Sequence, residues 1–499
     1  MNNIKVIAIG VVLATLSGCF SDEGNYDYDA PLVISVEGIE NSYAVSPTGD
    51  RLTISPVITP ADRTYDCFWT VTSASATWGD KVDTISRQQN LDYPVNLDMG
   101  NYKLRFNAKD RQTGVFSYTE YDLSVTTDMA AGWWLLKTVD GETDIDFFST
   151  EKDKHDVLMS ANGKRLSGEA LNLDFTSNFW RFDTDKLTDV RLEAVFVASS
   201  SDLAAIDYFT GRIVSGYDDL FVDAPRNHEV RDMFKGPSDT HVYVDGYIYT
   251  MYHSKYSIYN QFVIKTLGSY DIAPQHHCAG SLPVLFNRAN NSLCSVSRTS
   301  QGIDYFKNGT PSPNQMDMDL VFIGGQTTSQ WTQGDIALAV MKSRTSGKHY
   351  LLQLDGQPYS MDSNPIMSMD EMPDGLGLYD ANCRTLNQNN SIVYYSRDNH
   401  LYSCNLANFS ETECEVQPGS GETVTYMEYL KFAPYGFDEL WFDYLAIATS
   451  SGDSYKLSLH PVVAGHVQPA DKVFQGKGKV KRACYMHQTS YGIYTSTLF

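Results

Sequence analysis

One pattern limits what this chain can fold into: two short alternating strands joined by a tight turn, met repeatedly between Gly132 and Tyr494. Gly132-Trp133-Trp134-Leu135-Leu136 turns at Asp140-Gly141 into Asp144-Ile145-Asp146-Phe147-Phe148. His241-Val242-Tyr243-Val244 turns at Asp245-Gly246 into Tyr247-Ile248-Tyr249. Ser391 to Tyr395 turns near Asp398-Asn399 into Leu401-Tyr402-Ser403, and Tyr444 to Ala448 turns at Ser451-Gly452 into Tyr455-Lys456-Leu457. The last pair is Arg482 to Met486 and Tyr491 to Tyr494. Asp-Gly and related dipeptides accept the left-handed backbone that two-residue hairpins require. The even recurrence predicts radial repetition, hence a β-propeller-like domain over 127–499 with roughly six to eight blades. No WD or kelch signature is present, and a pair of sandwiches or a curved β-array is the other arrangement the pattern allows. Ring closure would pair Ile493-Tyr494-Thr495-Ser496 with strands near Trp134, Trp133-Trp134 reads as a first-blade strand with one ring buried, and Ser201 to Phe209 reads as a short helical insertion.

Composition agrees with an all-β chain. Thirty-two tyrosines and 23 phenylalanines suit pleated strands better than helices. The formal charge of -23 sets the surface against nucleic acid and anionic head groups. Besides Cys19, the cysteines are Cys67, Cys278, Cys294, Cys383, Cys404, Cys414 and Cys484, with no C-x-x-C pair. Cys404 with Cys414, and Cys278 with Cys294, each suit a hairpin staple; the alternative is buried thiols acting as small apolar side chains.

The chain opens with Lys5, an apolar run from Val6 to Leu16, and then Ser17-Gly18-Cys19. The run is too short to span a bilayer and reads as a signal segment. Small residues before a cysteine resemble the bacterial lipoprotein signal, which implies removal of residues 1–18 and acylation, palmitate included, of Cys19. Several acyl chains on one residue anchor firmly, at about 0.8 kcal/mol per buried methylene. The acidic tether, residues 19–28, contains Asp22-Glu23 and resembles the export signal of surface lipoproteins of the Bacteroides type. The expected location is the outer membrane, lipid-anchored and facing the cell exterior.

Residues 29–126 read as about seven short strands, hence an Ig-like β-sandwich. Tyr65, Cys67, Trp69 and Val71 alternate onto one side, and Trp69 is the expected core tryptophan. The set Gly24-Asn25-Tyr26-Asp27-Tyr28, Tyr65-x-x-x-Trp69, Asn90-Leu91-x-Tyr93, Gly100-x-Tyr102-x-Leu104 and Asp110-x-x-Thr113-Gly114-Val115 resembles the PKD-like family of Bacteroidetes lipoproteins. That resemblance covers roughly residues 19 to 126. It implies a neighbour of nutrient importers that pair a TonB-dependent transporter with a substrate-capturing lipoprotein of the starch-utilisation type. It carries over no catalytic residue.

No catalytic set stands out: H-E-x-x-H, G-x-S-x-G, P-loop and dinucleotide fingerprints are all absent from the sequence. His276-His277-Cys278 is the densest group of metal-type ligands, but on a strand His277 points away from its two neighbours. Asp317-Met318-Asp319, before a strand, and Asp370-Glu371-Met372-Pro373-Asp374-Gly375, in a loop, lack EF-hand spacing. No metal or cofactor is expected. The candidate ligand contacts are Trp180, Trp331 and Trp441, since rings give large contact area at low entropy cost. The methionines from Met361 to Met372 offer either an adaptable contact surface or a cover over the core. The sequence therefore points to a non-catalytic surface lipoprotein accessory to TonB-dependent capture and import of a glycan or oligopeptide. The alternatives are a propeller-type glycan hydrolase or lyase, and an adhesion or structural surface protein.

Overall fold

The computed structural model describes residues 32–47, 50–76, 81–183, 187–235, 240–251, 260–265, 270–280, 282–296, 302–328 and 334–496. Cys19, the acidic tether and Trp331 lie outside the described residues. The chain divides into two compact units, one built mainly on Leu52–Tyr93 and Asn101–Leu123, the other on the residues from Ser124 onward with two short earlier segments.

The N-terminal unit is an Ig-like arrangement of short strands, antiparallel except where Ser42–Val45 runs parallel to Phe116–Val125. A five-stranded sheet runs in the order Ser42–Val45, Phe116–Val125, Gly100–Asp110, Tyr65–Ser73, Asp83–Ser86. Two ladders accompany it, Ser35–Glu37 with Val57–Thr59 and Arg51–Ile54 with Leu91–Pro94. Leu52, Ile54, Leu91 and Tyr93 alternate inward with exposed neighbours, as strands with one wet face require. Trp69 is fully buried, lies 4.7 Å from the Phe106 ring, and donates its indole N–H to the Gln89 carbonyl at 3.0 Å. It is a core residue, as its place in the alternation predicts. The Asp110 carboxylate closes the turn that follows by accepting the Thr113 N–H and hydroxyl, each at 2.7 Å. Those bonds, the hydroxyl's first, hold its pKa below the usual carboxylate value. The same device recurs at Asp207, Thr210 and Gly211, where the Asp207 carboxylate accepts the Thr210 N–H at 2.9 Å and its hydroxyl at 2.8 Å. Gly211 there has φ +69°, which only a glycine adopts freely.

The larger unit contains seven antiparallel sheets among the described residues. In chain order they begin at Ala131, Ala170, Val230, Leu285, Met318, Cys383 and Thr423, and are called here the first to the seventh. Every hairpin read from the sequence is present, with registers such as Leu136↔Ile145, Val244↔Tyr247, Tyr395↔Tyr402, Ala448↔Leu457 and Gln488↔Ile493.

Successive sheets face one another through apolar clusters. Trp134 and Ile145 of the first meet Leu173 and Val195 of the second. Phe196 meets Val242, Tyr243 meets Leu285, Phe286 meets Leu352, Phe322 meets Val393, and Tyr394 meets Leu445. The seventh sheet then meets the first, through Tyr426 and Leu430 against Trp133 and Leu135. Each sheet is thus apolar on both faces, which explains strands without a wet side.

Three expectations are corrected by this arrangement. Leu203–Asp207, read as helical, is a strand: Leu203 and Ala205 face the third sheet's cluster while Ala204 and Ile206 face the first's. A period of two buried on both sides leaves no polar stripe for a surface helix. Trp133 and Trp134 are both buried, because neighbouring residues on that strand face different sheets. The strand beside Trp134 is Lys479–Thr489, with Trp134↔Cys484, and Gly492–Thr495 folds back on Lys479–Thr489 instead of reaching Trp134.

Smaller differences have equally local causes. Asp370 and Glu371 end a strand, Ile366–Glu371, that pairs with His349–Asp355. Among the methionines, Met361 and Met369 rest on the core, Met372 is buried, and Met367 is exposed. Cys67, Cys278, Cys294, Cys383, Cys404, Cys414 and Cys484 are all free thiols. Cys404 and Cys414 face opposite sides of the sixth sheet, one toward the fifth and one toward the seventh, so no staple joins them.

Candidate functional site

The seven sheets converge on one cavity of about 450 Å³. Its wall takes Leu171 and Asn172 from the second sheet, Arg231 and Asp232 from the third, and Pro274 to His276 from the segment that bridges onto the fourth. Val321 to Gly325, Arg384 with Gln388, and Tyr426 with Glu428 come from the fifth, sixth and seventh; Lys481 and Arg482 come from the first. In five of the seven sheets the contributing strand is an edge strand that begins the sheet. An edge strand facing a cavity leaves side chains with no neighbouring sheet to bury them, and there the apolar alternation gives way to polar residues.

Charged groups in that wall are held in fixed positions. Arg482 reaches Glu428 at 3.1 Å, and the Tyr426 hydroxyl donates to the other carboxylate oxygen of Glu428. The Tyr426 oxygen in turn accepts the Ala483 N–H at 3.1 Å. Burial pushes the Glu428 carboxyl above its usual range, with Arg482 opposing; burial works against the Arg482 charge, yet Glu428 holds it in place. Arg384 donates to the carbonyls of Leu378 and Tyr379, both at 2.7 Å, and burial draws its pKa down. Gln388 donates to the Tyr429 carbonyl at 2.9 Å, while its own side-chain oxygen is buried with no hydrogen-bond donor.

A second recess, of about 610 Å³, lies where the first and seventh sheets meet and is lined by Lys137, His155, Asp156, Glu422, Tyr455 and Lys456 among others. Its floor is an ion network. Lys137 lies 2.6 Å from Asp146 and 2.9 Å from Asp156, and Arg165 lies 3.0 Å from Asp144. Every charge in it has a partner, which is the arrangement that makes buried ions tolerable.

Of the tryptophans named from sequence, Trp441 is exposed. It is 44% accessible and donates its N–H to the Pro434 carbonyl at 3.1 Å. Tyr435 and Tyr491 are exposed in the same neighbourhood, with Phe437 at 5.7 Å from Tyr491. Asp438 and Glu439 are exposed between Phe437 and Trp441. Trp180 is half-buried in the strand Ala170–Asp183, opposite Arg191 and bonded through its backbone to Asn260, and it does not join that group. Trp331 lies outside the described residues. His276 sits 3.4 Å from Asp232, whereas His277 is fully buried and donates to the Gly334 carbonyl at 2.8 Å. The two histidines thus serve different surroundings, and no group of three or more metal-type ligands forms among the described residues.

Sequence reading missed Arg384, Glu428, Lys481 and Arg482. The available signal was a charged residue inside an otherwise apolar strand, as in Tyr426-Met427-Glu428-Tyr429.

Sequence comparison agrees with the Ig-like N-terminal unit. Residues 19–170 match the PKD-like family. The PKD-like segment therefore begins at Cys19 and extends past the strand Phe116–Val125 into the first sheet of the larger unit. No curated protein matches the chain. Among solved structures, a quinonprotein alcohol dehydrogenase-like protein from Bacteroides thetaiotaomicron aligns over 89% of this chain and 96% of its own, at 10% identity and a TM-score of 0.46. A DUF4784 family protein from Bacteroides caccae aligns over 77% of this chain and 95% of its own, at 10% identity and a TM-score of 0.33. The β-propeller domain of Cps50 (Swd1) from Myceliophteria thermophila aligns over 65% and 99%, at 9% identity and a TM-score of 0.34.

Proposed function

We propose that this chain is a non-catalytic surface lipoprotein that captures a glycan or oligopeptide for a TonB-dependent transporter and its starch-utilisation-type partner lipoprotein. In this reading an acylated Cys19 holds it in the outer membrane, facing the exterior, and the larger unit is a seven-bladed β-propeller. The PKD-like match that begins at Cys19 supports the anchor. The succession of sheet-to-sheet clusters, returning from the seventh to the first, supports the propeller.

The observation that carries the capture reading is the group of exposed rings Tyr435, Trp441 and Tyr491, with the half-buried Phe437 against Tyr491. Exposed rings gathered on one patch of a soluble unit mark a contact surface. Rings stack on the flat faces of sugars, and the adjacent carboxylates of Asp438 and Glu439 accept hydrogen bonds from hydroxyl groups. A neutral oligosaccharide suits this combination better than an acidic peptide.

The test is calorimetric titration of the chain from Phe20 onward with neutral oligosaccharides and oligopeptides, alongside Trp441→Ala. Gentle detergent extraction of native membranes, followed by identification of co-purifying proteins, covers the transporter. Binding that drops about tenfold or more in Trp441→Ala, roughly 1.4 kcal/mol, supports the reading. Absence of binding in both ligand classes, with no transporter recovered, overturns it.

A further inference from the structure

The cavity shared by the seven sheets has a charge balance opposite to that of the chain. The whole sequence carries -23, yet four cations, Arg231, Arg384, Lys481 and Arg482, line this wall against two carboxylates, Asp232 and Glu428. The carboxylates are engaged: Glu428 with Arg482 and Tyr426, Asp232 beside His276. Arg231 is paired outside the wall with Glu229 at 2.9 Å. Two cations remain, Arg384 and Lys481, and neither has a carboxylate within ion-pair distance among the described residues.

Both of these cations line the same cavity wall. Arg384 is held by the Leu378 and Tyr379 carbonyls, so its guanidinium plane is oriented before any ligand arrives. Lys481, Asn382 and Arg231 are exposed, so the wall is open to solvent at those residues. A preoriented guanidinium and an exposed ammonium in one wall match a planar or tetrahedral anionic group. Surrounding low-dielectric walls strengthen that attraction and raise the local anion concentration.

We infer that this cavity is a binding site for a small ligand bearing a carboxylate or sulfate group, held between Arg384 and Lys481. The volume of about 450 Å³ suits a small molecule or the end of an oligomer, and is of the order expected for ligand sites. Gln388, whose side-chain oxygen has no donor, offers a hydrogen bond for the neutral part of such a ligand. This site is separate from the aromatic surface around Trp441 and does not depend on it.

The test uses the chain from Phe20 onward, titrated with three probes: an oligogalacturonate, a sulfated disaccharide and maltotriose as neutral control. The first two distinguish a carboxylate source from a sulfate source. Binding of either acidic probe is expected to weaken with added salt. It is also expected to fall about tenfold or more in Lys481→Gln and in Arg384→Gln, roughly 1.4 kcal/mol each. Trp441→Ala should leave it unchanged. Lys481 is exposed, so Lys481→Gln decides the matter even where Arg384→Gln unfolds. Equal binding of maltotriose and the acidic probes, unchanged acidic binding in Lys481→Gln, or no binding of either acidic probe overturns the inference. Maltotriose binding that depends on Trp441 alone would leave the capture reading standing while the inference fails.

Discussion

The phenol of Tyr455 donates to the Asp146 carboxylate at 2.5 Å, joining residues 309 positions apart in the chain. Tyr455 belongs to the seventh sheet and Asp146 to the first, so the bond lies at the seam where the last sheet meets the first. Asp146 also takes the Lys137 ammonium at 2.6 Å and the Asp156 N–H at 2.9 Å. Both Asp146 and Lys137 are almost fully buried. Without Asp146 the buried Lys137 keeps Asp156 alone, and the Tyr455 hydroxyl and the Asp156 N–H lose their acceptor. Asp146→Ala is therefore expected to cost about 3–5 kcal/mol. Tyr455→Phe removes one hydrogen bond to a carboxylate and should cost about 1–3 kcal/mol. Urea unfolding of the two variants against wild type checks the order; a smaller effect for Asp146→Ala than for Tyr455→Phe would contradict it.

His277 sets a pH dependence. Its ring is fully buried, burial draws its pKa to about 4, and it donates to the Gly334 carbonyl at 2.8 Å. In the unfolded chain it titrates near 6.5. A depressed folded pKa means that the stabilisation is present above the unfolded value. It is lost as pH falls from about 6.5 toward the folded pKa of about 4. Its contribution to that loss is about 3 kcal/mol. Urea midpoints at pH 7.5 and pH 5 should therefore converge for His277→Gln relative to wild type, even though the variant is weaker at neutral pH.

In the N-terminal unit, Trp69 fills the core beside Phe106. Trp69→Ala should cost about 3–5 kcal/mol by leaving a cavity. The effect should be read as new proteolytic cleavage between residues 50 and 125. Cleavage confined to residues after 126 would show that Trp69 does not support the unit described here.

Seven free thiols make a chemical prediction. Alkylation of the chain from Phe20 onward under denaturing, non-reducing conditions should add seven groups per molecule, with no change after reduction. Fewer additions before reduction would reveal a disulfide. In the folded chain Cys294, Cys404 and Cys484 should react slowest, because all three are fully buried and burial raises each thiol, Cys404 and Cys484 to about 12 and Cys294 the more.

The hairpins were legible because their determinants are local. Asp245-Gly246 and Ser451-Gly452 provide the backbone freedom for tight turns, and alternation on either side sets strand direction. Trp69 was legible as a core residue for the same reason. Leu203–Asp207 misled because a doubly buried strand has no polar period, and a short apolar run looks alike in helix and strand. Trp180 and Trp441 looked equivalent as isolated rings, and their difference lies in what surrounds them: Arg191 and Asn260 for one, Tyr435 and the Tyr491 hairpin for the other.

By itself the sequence determined an all-β chain with an Ig-like N-terminal unit and repeated hairpins after it. Those properties depend on neighbours a few residues apart. Only the tertiary structure decided which strand joins Trp134, that Tyr455 meets Asp146, and that Arg384 and Lys481 face one cavity. Such contacts join residues separated by up to hundreds of positions. They follow from how sheets buried on both faces stack, and no local pattern of turns or alternation encodes that stacking.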